Sequence, residues 1–96
     1  MRIGVIGINH KSADVRLREK LAKICHRLFD PARFAHAAFS YVLLSTCNRT
    51  EIYFYSPDPA ETHTYLLGIL RHRIDEEFEH RVYSYFGRDC FFHLAR

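Results

Sequence analysis

Residues 41–55 read YVLLSTCNRTEIYFY, two apolar runs separated by the polar hexapeptide Ser45–Thr50. The runs are rich in aliphatic and aromatic residues, which favour strands, and they are close enough for an antiparallel pair. We therefore predict strands at 41–46 and 51–56. The hexapeptide places the thiol of Cys47 among hydroxyl, amide and guanidinium groups. A cysteine that served only as a small hydrophobe would more naturally lie inside one of the apolar runs.

The chain on either side of this pair alternates strands with helices. Alternating apolar residues predict a first strand at Arg2–Ile8, and a helix with apolar residues at helical spacing follows the N-cap candidate Asp14. The segment Asp58–Glu61 supplies an N-cap acid, a proline at N1 and an acid at N3, so a second main helix is predicted there. Val82–Phe86 is predicted to be a fourth strand.

Two shorter helical pieces complete the predicted order of elements. One starts at Asp30–Pro31, and the other opens at Asp89 and is left unfinished by Arg96, so we expect a longer protein. The order βαββαβ is the split βαβ arrangement. The sequence therefore predicts an α+β, ferredoxin-like sandwich: a four-stranded antiparallel sheet with helices on one face. The other face is expected to be open unless a neighbouring element covers it.

Composition sets the limits on function. The 96 residues, 48% hydrophobic and 26% charged, are those of one ordinary soluble domain. No apolar run approaches the ~20 residues of a membrane span, and no signal peptide is recognised, so no membrane partner is expected. Three cysteines without a close pair favour the reducing cytoplasm. The net charge of +3 permits an acidic or nucleic-acid partner without requiring one.

Three segments resemble the glutamyl-tRNA reductase family and keep that family's order. Gly7–Ala13, together with Leu17–Ala22, resembles the family's opening. Leu43–Tyr53 resembles its active-site motif almost letter for letter. A weaker match joins Gly87 and His93–Leu94 to the segment that places a histidine in the family's active site.

The resemblance implies the catalytic domain of an NADPH-dependent enzyme of tetrapyrrole (porphyrin) biosynthesis. The Cys47 thiolate would attack the ester that links glutamate to its tRNA, and the thioester would be reduced to glutamate-1-semialdehyde, the precursor of 5-aminolevulinate. Thr46, Asn48 and Arg49 would bind the substrate together with Cys47. His93 would orient the substrate or carry a proton, and sequence does not decide between these roles.

The same resemblance implies a cofactor and partners, and residues 1–96 would not bind all of them. No Gly-x-Gly-x-x-Gly follows a strand, so NADPH is expected on a domain outside residues 1–96, which alone should not complete the reduction. Residues 1–96 are expected to be a truncated N-terminal catalytic domain and a monomer, and the full-length protein a homodimer. Glutamyl-tRNA is the expected partner, and the downstream aminomutase is a candidate one. No metal is expected, since Cys25–His26 has no second pair at ligand spacing.

Residue type alone permits simpler interpretations of several of these positions. Arg49 could be a surface cation and His93 an interior histidine, and Cys25 and Cys90 are interpreted as packing residues. Four other histidines are scattered and expected to be solvated: His36, His63, His72 and His80.

A non-catalytic RNA-binding module is the alternative from another class. RNA-recognition domains share the predicted strand order and stack bases on sheet aromatics, and Tyr53 and Tyr55 alternate on one face of the third strand. Against this, that strand lacks the glycine–aromatic pattern and the basic start of the RNA-binding motif.

Overall fold

The computed structural model describes residues 2–28, 39–46, 48–74 and 80–95. The helical piece predicted after Asp30–Pro31 lies outside these residues, except for Phe39 at its end, and so does Cys47.

Four strands form one antiparallel sheet in the order β2-β3-β1-β4. Their bounds are β1 (Arg2–Asn9), β2 (Ser40–Ser45), β3 (Arg49–Ser56) and β4 (Tyr83–Phe86). Strand β1 pairs with both β3 and β4, and β2 pairs with β3. The α+β class with a four-stranded antiparallel sheet is confirmed, and this strand order fits the predicted ferredoxin-like arrangement.

The hairpin formed by β2 and β3 is tighter than the sequence predicted. Strand β3 begins at Arg49, because this residue pairs with Asn9 at the end of β1. Strand β2 ends at Ser45, because the Thr46 N–H already donates to the Arg49 carbonyl at 2.8 Å inside the turn. Of the polar hexapeptide Ser45–Thr50, Ser45 ends β2, and Arg49 and Thr50 belong to β3.

Within the described residues, three helices accompany the sheet: α1 (Val15–Leu28), α2 (Pro59–Arg71) and α3 (Arg88–Leu94). Both predicted N-caps are present. The Asp14 carboxylate accepts a hydrogen bond from the Leu17 N–H at 2.9 Å, and the Asp58 carboxylate accepts one from the Glu61 N–H at 3.1 Å. These bonds satisfy donors that a helix start otherwise leaves without partners.

Helices α1 and α2 cover one face of the sheet and form the main core with it. The sheet contributes Ile6, Ile8, Ile52 and Phe54. Their partners include Leu17, Leu21 and Cys25 of α1 and Leu66 and Leu70 of α2. Burial raises the pKa of the Cys25 thiol to about 12, so this cysteine packs as a small hydrophobe, as predicted.

The second face of the sheet is not left open, because α3 folds back over it and contacts β4 and β1. Gly87 makes the reversal possible: its φ of 57° lies in the left-handed region that glycine adopts readily, and its N–H donates to the Ile3 carbonyl at 2.8 Å. Val5 on this face and Cys90 of α3 are both fully buried. The predicted C-terminal helix therefore belongs to the fold as a cover for the second face.

His63 departs from the prediction that it is solvated. Its ring lies half-buried on α2, with Nε2 2.7 Å from the Ser84 hydroxyl and its centroid 5.2 Å from that of Phe86. Burial lowers the pKa of His63 and favours the neutral ring. The sequence could not show this contact, because it requires α2 to lie against β4.

We predict that Gly4→Ala destabilises the fold. A Cβ at Gly4 would lie 2.5 Å from the Phe54 ring, so the buried ring would have to move, at a cost of about 1–3 kcal/mol. Gly68→Ala is the matched control, because a Cβ there meets nothing within 4 Å and the helix should gain about 0.5–1 kcal/mol. Urea unfolding of both variants measures the two changes. Equal stability of the two variants would contradict the prediction.

Candidate active site

The turn between β2 and β3 is organised by Thr46. Its hydroxyl oxygen accepts hydrogen bonds from the backbone N–H groups of Asn48 and Arg49, each at 3.2 Å. The predicted substrate ligand Thr46 therefore has a structural part in shaping the turn. Both Thr46 and Asn48 are exposed. Cys47, the predicted nucleophile, lies between them in the sequence and outside the described residues.

The loop after β1 lies directly against this turn. The His10 N–H donates to the Asn48 carbonyl at 2.9 Å, and Asn9 Oδ1 accepts from the N–H groups of Lys11 and Ser12 within the loop. The family-like opening and the motif around Cys47 are thus neighbours in space. A cleft of about 760 Å³ adjoins them, lined mainly by loop residues 10–14 with His80 and Arg81.

A buried acid, Glu51, lies on the second face of the sheet and gathers two of the predicted site residues. Its side chain is fully buried. Arg49 Nε is 3.4 Å from Oε1, and His93 Nε2 is hydrogen-bonded to Oε2. The structure therefore brings Arg49 and His93 together through a residue that the sequence analysis did not single out.

Two tyrosine hydroxyls complete the shell around the Glu51 carboxylate. Tyr53 donates to Oε1 at 3.0 Å, and Tyr83 donates to Oε2 at 2.7 Å. Burial alone would raise the pKa of Glu51, but the hydrogen bonds from Tyr83, His93 and Tyr53 and the charge of His93 outweigh it and lower the pKa. Glu51 is thus held as a carboxylate inside the protein.

The ionised state of Glu51 determines which ring nitrogen of His93 carries the hydrogen in the bond between them. A carboxylate only accepts hydrogen bonds, so Nε2 of His93 must carry the hydrogen that it donates. The ring stacks on Tyr85, with centroids 4.8 Å apart, and is tilted against Tyr83 at 5.2 Å. Nδ1 is buried and has no hydrogen-bond partner among the described residues.

Gly7 provides the space in which this cluster forms. In the register, Gly7 pairs with Glu51 on one side and with Tyr83 on the other, so the bond between these two side chains crosses β1 above Gly7. A Cβ at Gly7 would lie 2.7 Å from Glu51 Cγ and 3.2 Å from the Tyr83 hydroxyl. Any larger residue would push the carboxylate out of place.

Comparison with known proteins assigns the family. The sequence model described as glutamyl-tRNAGlu reductase, N-terminal domain, matches residues 6–96. The chain belongs to this family. A relative named glutamyl-tRNA reductase, from Glaesserella parasuis, is 50% identical over 68 residues, which cover 66% of this chain and 16% of the relative.

Two further relatives of the same name align with the whole chain. The protein from Akkermansia muciniphila is 37% identical over 103 residues, and 30% of its length is covered. The protein from Shewanella halifaxensis is 36% identical over 100 residues, and 24% of its length is covered. The chain thus spans less than a third of the length of these glutamyl-tRNA reductases.

Three residues of the cluster, Glu51, Tyr53 and Tyr83, were not predicted as site residues of this reductase-family domain. Glu51 carried a usable signal, because an acid inside an apolar strand is rare unless it has partners. Tyr53 follows two positions later and must share its face. Tyr83 could not be assigned to the cluster without the strand register.

The described ranges hold neither a candidate metal-binding cluster nor a helix that could span a membrane. They contain no group of three or more histidine, cysteine, aspartate or glutamate side chains that could hold a metal ion. None of the helices in these ranges is long and apolar enough to cross a membrane.

We predict that Glu51→Gln removes a pH-dependent part of the stability. The folded-state pKa of Glu51 lies below its unfolded value of about 4.3, so ionisation favours the folded chain. This contribution is present above that unfolded value and is lost as the pH falls through the folded pKa. The wild type should therefore exceed Glu51→Gln in free energy of unfolding near pH 6, and the gap should narrow as the pH falls below about 4.3. A gap that stays constant on acidification, measured by urea unfolding, would contradict this.

Proposed function

We propose that these residues form the acyl-transfer domain of an NADPH-dependent glutamyl-tRNA reductase. The Cys47 thiolate attacks the carbonyl carbon of the ester that joins glutamate to its tRNA. A carbon–sulfur bond forms, the carbon–oxygen bond to the ribose breaks, and the released oxygen takes up a proton. The products are a glutamyl thioester on Cys47 and free tRNA.

The observation that carries this proposal is the convergence of Arg49 and His93 on the buried carboxylate of Glu51. Arg49 and Glu51 lie on β3, and His93 lies on α3. In the sequence, Cys47 is two residues before Arg49, the first residue of β3. A cluster of charged, buried groups beside a cysteine motif is typical of active sites. Membership of the reductase family supports the same chemistry.

The other cysteines are poor candidates for the nucleophile. Cys25 and Cys90 are free and fully buried. Burial raises the pKa of both thiols, and the charge of Glu51 raises that of Cys90 further, so neither forms the thiolate readily. Cys47 is then the nucleophile to which the family motif and the chemistry both point.

Arg49 is proposed to bind the carboxylate of the glutamyl group. Its Nε lies 3.4 Å from Oε1 of Glu51, and the two terminal nitrogens are the donors proposed to face the substrate. A guanidinium fork pairs with a carboxylate in preference to the neutral amide of a glutaminyl group. Thr46 and Asn48, both exposed in the same turn, are proposed to bind the polar groups of the substrate. His93 is proposed to orient the substrate or to carry a proton, and because its Nε2 donates to Glu51, Nδ1 is the ring nitrogen left for either role.

The described residues do not fit NADPH. Nicotinamide dinucleotides are bound at a glycine-rich turn between a strand and a helix. Gly4 and Gly7 instead lie inside β1, against the Phe54 ring and the Glu51 side chain, and the loop that follows β1 is built around Asn9. We therefore assign only the acyl transfer to this chain. The hydride step, which yields glutamate-1-semialdehyde for tetrapyrrole synthesis, is assigned to the rest of a longer protein.

Partners and location follow from this proposal. The substrate is glutamyl-tRNA, and the longer protein is proposed to act in the cytoplasm as a homodimer that passes its product to an aminomutase. A separate RNA-binding function is less well supported. Tyr53 is half-buried and donates to Glu51, and α3 lies over the sheet at β4, so the second face is not a free aromatic platform for bases.

We predict that glutamyl-tRNA, incubated with the full-length protein without nicotinamide cofactor and quenched in acid, leaves a glutamyl adduct on Cys47. Intact-mass analysis followed by peptide mapping detects it. Cys47→Ser should carry no acid-stable thioester. Cys25→Ala is the control, because it removes a buried thiol of α1 and should label like the wild type. Equal labelling of the wild type and Cys47→Ser would rule out the thioester, and tight binding of unrelated single-stranded RNA without adduct would favour the RNA-binding module.

A further inference from the structure

The acyl-transfer chemistry leaves the role of the Tyr83 hydroxyl unexplained. We propose that Tyr83 is a positioning residue: its hydroxyl reaches across Gly7 and fixes the Glu51 carboxylate that holds Arg49 and His93. This role rests on the proposed function, since the groups that it positions are those assigned to acyl transfer.

The Glu51 carboxylate has four contacts with other described residues, two at each oxygen. Oε1 accepts from the Tyr53 hydroxyl and faces Arg49 Nε, and Oε2 accepts from the Tyr83 hydroxyl and from His93 Nε2. Each oxygen thus accepts a hydrogen bond from one tyrosine; Oε2 also accepts one from His93, and Oε1 forms an ion pair with Arg49. The carboxylate plane can turn about its last bond, and a turn would move both oxygens away from Arg49 and His93. The two hydroxyls oppose that rotation.

Tyr83 has the shorter of the two tyrosine bonds and comes from a different strand. Tyr53 lies on the same strand as Glu51, two residues away, whereas Tyr83 approaches from β4 on the far side of β1. Its hydrogen bond therefore fixes the position of the Glu51 carboxylate relative to β4, the strand that leads into α3 and His93. Tyr53 alone could not provide that link.

A tyrosine is well suited to this position because it stays a neutral donor. Burial and the adjacent carboxylate raise the pKa of Tyr83 and of Tyr53 well above the usual value for tyrosine. Both hydroxyls therefore keep their hydrogen throughout the physiological range. A neutral donor orients the carboxylate without taking its charge away from Arg49.

The Tyr83→Phe variant removes the hydroxyl and keeps the ring, so it separates the contributions of the two groups. The ring contacts with His93 and Tyr85, at centroid distances of 5.2 and 5.7 Å, can persist in the variant. Tyr55→Phe is the matched control, because Tyr55 points to the same face of the sheet and is exposed. Glu51→Gln supplies the background in which the charge to be positioned is absent.

The test measures thioester formation in a single turnover by the full-length protein, with glutamyl-tRNA and no nicotinamide cofactor. We expect Tyr83→Phe to slow adduct formation about tenfold, the effect of losing a hydrogen bond to a charged group, and Tyr55→Phe to match the wild type. In the Glu51→Gln background, Tyr83→Phe should change the rate less than about twofold, because Tyr83 acts through Glu51. A purely structural role would slow both backgrounds equally.

A second readout does not depend on the reaction. The resonance of the His93 Nε2 proton reports its hydrogen bond to Glu51 and should move in Tyr83→Phe but not in Tyr55→Phe. A Tyr83→Phe protein with an unmoved resonance and a wild-type rate would overturn the role of Tyr83, and so would an equal rate loss in both backgrounds. A wild type that forms no adduct, with the resonance still shifted in Tyr83→Phe, would instead overturn the acyl-transfer function and leave Tyr83 as the residue that orders the cluster.

Discussion

A carboxylate removed from water must find donors and opposite charge inside the protein, and the burial of Glu51 imposes this condition on the second face of the sheet. The donors come from three elements: β3 itself, β4 and α3. If any one of them were displaced, a charge would be left without a full set of partners. The cluster therefore links the positions of β3, β4 and α3 to the chemistry of one side chain.

The sheet register makes the cluster possible. Side chains of β1, β3 and β4 that pair directly share a face, so Gly7, Glu51 and Tyr83 stand side by side with the smallest residue in the centre. A slip of β3 by one residue would turn Glu51 into the apolar core and Ile52 away from it. The hydrophobic packing of Ile52 and Phe54 under α1 and α2 thus also fixes which face receives the charge. Stability of the core and arrangement of the candidate site depend on the same register.

Local chemistry explains what could be predicted. Asp14 and Asp58 cap their helices within three residues, and the apolar spacing of Leu17, Leu21, Leu66 and Leu70 identifies the faces that meet the sheet. The α+β class followed from patterns of that kind, whereas the prediction that Arg49 and His93 belong to one site came from the family resemblance. The contacts of Glu51 with Tyr83 and His93 join residues 32 and 42 positions apart, so no local pattern contains them. The contact of His63 with Ser84 was missed for the same reason.

The reversal at Gly87 has a consequence for the order in which the domain assembles. Tyr83 and His93 are synthesised after the hairpin that carries Glu51, and β4 pairs with β1 at the opposite edge of the sheet from β2. A nascent chain that has completed β1, β2 and β3 therefore holds an acid that is not yet shielded by its later partners. The last of its native partners, His93, becomes available only when the chain has passed Gly87 and turned back over the sheet. The cluster around Glu51 is therefore complete only after α3 has been synthesised.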